Sequence, residues 1–166
     1  MRIAAFMLAL VLTSPLAAPS SLAQPSAGPS VEETREALRQ RLMTFVTEDY
    51  LGNAREGHEN FGDLFADRVD YYGKPGTLRA RVLADKAAFY RRWPMRRYEI
   101  IPGSLLPRPG PDDSVELTFR YTYEVSNGAR SARGIGETTL GLILGEDGRY
   151  RIVKETGGVV RRTGGR

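Results

Sequence analysis

The segment Asp70-Tyr71-Tyr72 sets a carboxylate beside two phenols, just before the turn residues Gly73, Pro75 and Gly76. A carboxylate held in a pocket can move a proton, and a neutral phenol can donate to a developing oxyanion. In an extended segment successive side chains point to opposite sides. Asp70 and Tyr72 then share one face and Tyr71 takes the other. If Tyr71 enters a pocket, Asp70 stays outside it, where its carboxylate can bond the following turn. Asp70 and Tyr71 are the candidates for a catalytic pair, and a structural role for Asp70 is the competing and preferred reading.

The other chemistry-bearing residues form few patterns. His58, the only histidine, sits in the polar stretch NAREGHEN and reads as a solvated side chain at a helix start. One histidine, no cysteine and scattered carboxylates make no ligand set, so neither a metal nor a cofactor is expected. The Gly134-Ile135-Gly136 run lacks the third glycine of a dinucleotide fingerprint and lies within a strand. No Gly-x-Ser-x-Gly elbow is present. The basic stretch RRWPMRR carries Arg91, Arg92, Arg96 and Arg97 around the only tryptophan, Trp93. It could grip an anionic ligand, although arginines in the last turn of a helix also offset its dipole.

These residues need elements to position them. Ser30 with Glu33 fits a capping box, and Leu38, Leu42, Phe45, Val46 and Tyr50 follow at helical spacing, with Gly52 placed to end that helix. A short second helix carries Phe61, Leu64 and Phe65. After the extended Val69–Tyr72, Thr77 can cap a third helix with Leu78, Val82, Phe89 and Trp93 along one side, stopped by Pro94. From Arg96 onward the period becomes two, and four strands are expected in an antiparallel meander. Their connections are the proline-rich PRPGPDD, a two-residue hairpin at Asn127-Gly128, and a three-residue one at Glu146–Gly148. The fold class is α+β, with three N-terminal helices on a strongly curved antiparallel sheet. One sheet face carries Leu117, Phe119, Tyr121 and Tyr123 opposite small residues. Glycine opposite an aromatic ring permits the curvature that turns such a sheet into a cone.

The N-terminus gives the destination. A positive start, the short apolar run Ile3–Leu12, Pro15 and the small residues of Ser21-Leu22-Ala23 make residues 1–23 an export signal, cleaved near Ala23. The run is too short for a bilayer span, and a lipid anchor at that signal would need a cysteine. A periplasmic or secreted chain is expected, with a leader over 24–29, one domain over 30–162 and a flexible tail over 163–166. Without cysteine, burial alone must hold the fold. The formal net charge is only +4, with acids interspersed, which argues against nucleic acid as a partner.

The stretch LFADRVDYYGKPGTLRARVLADKAAFYRRWPMRRYEI, together with YRIVKETGGVV, resembles the nuclear transport factor 2-like superfamily and its SnoaL-like bacterial members. These include polyketide-cyclase-like and ketosteroid-isomerase-like domains. The resemblance runs from about Ser30 to Arg162 and implies the cone fold. Because this fold hosts enzymes, binding domains and dimeric adaptors, it does not imply one reaction. Tyr71, Trp93, Tyr98, Phe119, Tyr121 and Tyr123 would line the cone, and a small apolar or aromatic ligand is the expected partner. A non-catalytic binding or accessory role leads. The alternatives are an isomerase, lyase or cyclase-like enzyme using Asp70 with Tyr71 or Tyr121, and an envelope interaction module with a filled cone. The resemblance also implies a homodimer through the outer sheet face, where Thr118, Arg120 and Thr122 lie.

Overall fold

The protein is described by a computed structural model covering residues 31–56, 59–112 and 114–165. The expected export signal and leader, the expected Ser30 cap and His58 lie outside the described residues. The first helical region is α1 (Val31–Thr44), a wider π-helical turn (Phe45–Tyr50) and α2 (Leu51–Glu56), without a break. Gly52, expected to stop a helix, lies inside this run. The wide turn brings Phe45 and Tyr50, five residues apart, to the buried side together. Such turns interrupt the regular helix and recur at functional sites. A 3-10 helix (Glu59–Leu64) replaces the expected second helix, and α3 (Arg79–Arg92) follows the first hairpin. Thr77 does not cap α3; its hydroxyl donates to the Lys74 carbonyl at 2.9 Å, and Leu78 occupies the cap position.

Seven strands form one sheet: β1 (Phe65–Tyr71), β2 (Lys74–Leu78), β3 (Met95–Ile100), β4 (Leu106–Pro109), β5 (Val115–Ser126), β6 (Ser131–Leu144) and β7 (Tyr150–Gly165). The order β2-β1-β7-β6-β5-β3 leaves the sheet open, with β4 joining β5 beside β3. Two expectations change here. The sheet is mixed, since β1 runs parallel to β7, and the proline-rich PRPG segment contributes β4. Pro107 and Pro109 are tolerated there because β4 is an edge strand. β7 also continues to Gly165, beyond the expected domain end at Arg162.

The β5–β6 register differs by two residues from that of a two-residue Asn127-Gly128 turn. Tyr123 pairs with Gly134, Tyr121 with Gly136, and Phe119 with Thr138. The reason is local. The Asn127 side-chain oxygen accepts from the Ala129 and Arg130 N–H groups, closing a four-residue loop. A shift of two keeps every residue on its expected face, so Leu117 and Phe119 are buried in the core with Leu42, Phe65, Leu140 and Ile152. The outer face is a ladder of paired polar groups. Arg120 meets Glu137 at 2.7 Å, Lys154 meets Glu116 at 3.1 Å, and the Thr118 and Thr139 hydroxyls are 2.9 Å apart.

Candidate functional site

The floor of the cone is set by an irregularity in β7. Gly141 pairs with Lys154 but Leu142 pairs with Ile152, so Val153 is an extra residue in the ladder. A bulge of this kind reverses the alternation beyond it. Strict alternation from Ile152 would send Lys154 inward and Glu155 to solvent. Instead Lys154 reaches the outer ladder and the Glu155 side chain is fully buried. A carboxylate there costs several kcal/mol unless it is paired and hydrogen-bonded.

Its counter-ion comes from α3. The Lys86 ammonium meets Glu155 Oε1. It also lies 5.4 to 5.8 Å from the ring centroids of Tyr50, Phe61, Phe65 and Tyr71. Four aromatic faces thus take up a charge that has lost most of its water. Two phenols complete the cluster: Tyr50 donates to Glu155 Oε1 at 3.0 Å and Tyr72 does so at 3.4 Å. Burial first, then the negative charge of Glu155, pushes both phenols up from the ordinary tyrosine value, Tyr50 being buried whereas Tyr72 is still 48% exposed. They are therefore neutral donors across the accessible pH range. Beside them, Tyr71 donates to Asp85 Oδ2 at 2.8 Å, and burial with that bond raises its phenol too. The second oxygen of Glu155 has no partner among the described residues, and neither has the buried Tyr90 hydroxyl.

The two tyrosines reach this place through a tight turn. Tyr71 pairs with Lys74, so Tyr72 and Gly73 are the turn, at φ of 48° and 77°. Positive φ at both positions is the signature of the favoured two-residue hairpin. Gly73 adopts it freely, whereas Tyr72 bears a cost of about 1 kcal/mol. Its N–H donates to the Glu155 carbonyl at 2.8 Å, tying the turn to the floor. The expectation that Tyr72 and Tyr71 face opposite ways fails for this reason. The turn ends the alternation, and the rings meet edge to face at 4.8 Å.

Above the floor lies a cavity of about 580 Å³. One wall is α3, through Phe89, Tyr90 and Trp93; another is the sheet, through Tyr98, Tyr121 and Tyr123. Gly136 makes the sheet wall possible. A Cβ there would lie 2.7 Å from the Tyr121 ring, so only glycine lets that ring lie flat across β6. Burial raises the phenols of Tyr90 and Tyr98. It raises that of Tyr121 as well, partly offset by a hydrogen bond with Thr138.

Of the residues singled out in the sequence, Tyr71, Trp93, Tyr98, Tyr121 and Tyr123 line this cavity. Phe119 does not; it is fully buried, with its ring 6.0 Å from that of Tyr121. Asp70 is exposed, and its Oδ1 accepts from the Gly76 N–H at 3.1 Å, the role of a turn stabiliser. The four arginines do not form one anion patch. Arg96 is folded inward, donating to the carbonyls of Ala54, Arg55, Tyr90, Trp93 and Pro94, with its guanidinium 4.6 Å from the Tyr90 ring centroid. Arg97 is engaged by Glu99 at 2.7 Å. Arg91 and Arg92 are exposed in the last turn of α3.

Sequence reasoning missed Glu155, Lys86, Tyr50 and Asp85. Only Lys86 left a readable signal, since Val82, Lys86 and Tyr90 stand four apart on one helical stripe. A lysine between two inward residues marks a buried charge.

No family model matches the chain, and no curated protein does. Solved structures do. ActVI-ORFA from Streptomyces coelicolor superposes with a TM-score of 0.62 at 14% identity, over 76% of this chain and 97% of that one. A proposed scytalone dehydratase from Novosphingobium aromaticivorans gives 0.62 at 10% identity, over 80% and 89%. The hexachlorocyclohexane dehydrochlorinase LinA-type3 from Novosphingobium barchaimii gives 0.58 at 15%, over 78% and 90%. The fold is the nuclear transport factor 2-like cone, shared with these structures. At such identities the likeness carries the fold alone, and the residues inside must be read on their own chemistry.

Proposed function

We propose that this nuclear transport factor 2-like chain is an exported binding protein for a small aromatic or apolar molecule held inside the cone. One observation carries the reading. A cavity of about 580 Å³, walled by aromatic rings, is lined by two residues with a buried polar atom that has no partner among the described residues, Glu155 Oε2 and Tyr90 Oη. The size falls within the range of about 300–1,000 Å³ usual for small-molecule sites. Buried polar atoms are seldom left unpaired, and both belong to residues that line the cavity, where a ligand with one donor and one acceptor would satisfy them once the side chains over them shift. Residues 1–23 support export. The open space supports this reading over the filled-cone alternative.

The test is fluorescence titration with N-phenyl-1-naphthylamine, a neutral aromatic probe. Val159 supplies the control. It pairs with Gly136 on the inward face and lines the cavity while remaining half exposed. Val159→Trp should fill the space, leave the melting temperature nearly unchanged and abolish probe binding. Equal binding by both proteins would place the probe elsewhere and defeat the reading.

The buried pair favours a second reading, a cofactor-free proton-transfer enzyme. Glu155 Oε2 would take a proton from a carbon acid, and Lys86 with Tyr72 would steady the resulting oxyanion. Glu155 replaces Asp70 in that role, since Asp70 is outside the cone. Two of the structures named above are described as a dehydratase and a dehydrochlorinase, which supports asking the question. Exchange of the α-protons of 2-tetralone in heavy water, followed by NMR, answers it. Acceleration by the wild type that is lost in Glu155→Gln supports an enzyme, and no acceleration leaves the binding reading alone.

A further inference from the structure

Charge accounting inside the cavity points to the class of ligand. The lining includes four cations, Lys74, Arg81, Lys86 and Arg162, against two carboxylates, Asp85 and Glu155. Both carboxylates are engaged: Glu155 accepts from Lys86, and Asp85 accepts the Tyr71 hydroxyl. Lys74, Arg81 and Arg162 have no carboxylate within ion-pair distance among the described residues, and all three are exposed, whereas Lys86 lies among four rings below. They come from β2, α3 and β7, so no single element's composition accounts for their meeting on one cavity.

Arg81 stands where a helix tolerates a cation least. It lies in the first turn of α3, which contains no acid, and the helix dipole there disfavours positive charge. Other arginines of the chain find carboxylates: Arg79 with Asp67, Arg97 with Glu99, Arg120 with Glu137 and Arg151 with Asp147. Arg91, Arg92, Arg108 and Arg130 are exposed without a carboxylate partner among the described residues as well, so what marks the cavity is that three such cations from three elements meet on one wall. A concave, low-dielectric wall concentrates the field of such an excess and draws in ligands of the opposite sign.

Resting on the binding reading above, we propose that the natural ligand is an anionic aromatic molecule, a carboxylate, sulfonate or phenolate whose ring body enters the cone while its charge meets Lys74, Arg81 and Arg162. The deep end, with Glu155 and Tyr90, then takes a hydroxyl or carbonyl of the same molecule. A neutral hydrocarbon of equal size would fill the walls but leave the cations unanswered.

Two fluorescent probes isolate the charge. N-phenyl-1-naphthylamine and 8-anilinonaphthalene-1-sulfonate share one aromatic body, and only the second carries a sulfonate. The wild type should bind the sulfonate about tenfold more tightly at low salt, the sum of three exposed and screened pairings. The triple variant Lys74→Gln, Arg81→Gln, Arg162→Gln should erase that preference and leave affinity for the neutral probe within about twofold. Added salt should shrink the preference in the wild type alone. If both probes bind equally, the anion proposal is overturned while the cavity reading stands. If the sulfonate preference survives the triple variant, its charge is read elsewhere and the proposal is likewise overturned. If the neutral probe fails to bind the wild type, the cavity reading fails and the proposal with it.

Discussion

Replacing Lys86 by methionine separates a structural ion pair from a dispensable one. Glu155 is fully buried, and the Lys86 side chain is 15% exposed. Methionine keeps the unbranched shape and suits the four surrounding rings, so the change removes charge with little loss of packing. The carboxylate would keep only the Tyr50 and Tyr72 hydroxyls. Breaking a buried pair from one side costs about 3–5 kcal/mol. The partial exposure of Lys86 argues for the lower end, about 3 kcal/mol, or a fall of about 10 °C in Tm. The double variant Lys86→Met, Glu155→Leu removes both charges and should return to wild-type stability or exceed it. Thermal and urea unfolding followed by circular dichroism read all three proteins. A single variant as stable as wild type, or a double variant worse than the single, would refute the reasoning.

Six phenols, Tyr50, Tyr71, Tyr72, Tyr90, Tyr98 and Tyr121, are raised above the ordinary tyrosine value. Their stabilising contribution is complete below about pH 10 and is lost above it, where the unfolded chain ionises first. Alkaline titration by phenolate absorbance should show five of these appearing together with unfolding rather than before it, with the half-exposed Tyr72 the first to ionise. Arg96→Lys should cost about 2 kcal/mol, since an ammonium cannot reach five carbonyls that a planar fork spans; chemical denaturation would show it. Gly136→Val should drive the Tyr121 ring off β6, weakening binding of N-phenyl-1-naphthylamine at least tenfold, which fluorescence titration measures. Asp70→Asn, in contrast, should leave probe binding unchanged and lower Tm by only a few degrees.

The cone could be read from the sequence because its pattern is periodic. Leu117, Phe119, Tyr121 and Tyr123 alternate cleanly, and even a two-residue error in hairpin register leaves them inward. What periodicity cannot carry is a phase change. The extra Val153 reverses the face of the residues that follow it up to the next irregularity at Val160, and with it Glu155 changes from a surface acid to the floor of the site. The turn at Tyr72-Gly73 hides its tyrosine in the same way, since the positive φ of a non-glycine residue leaves no mark in composition. The parallel pairing of β1 with β7, which sets Tyr71 beside Glu155, joins segments over eighty residues apart and has no local signal. Arg96 was legible as a charge but not as a clamp, because its five acceptors are backbone carbonyls that every residue carries.

The central claim is that the aromatic cone is an open site built over a buried Glu155–Lys86 pair. A crystal structure grown with N-phenyl-1-naphthylamine addresses it most directly. The probe is expected between Trp93 and Tyr121, with the Glu155 side chain beneath it still held by Lys86. A cone collapsed onto its own side chains, or a Glu155 turned out into solvent, would contradict it.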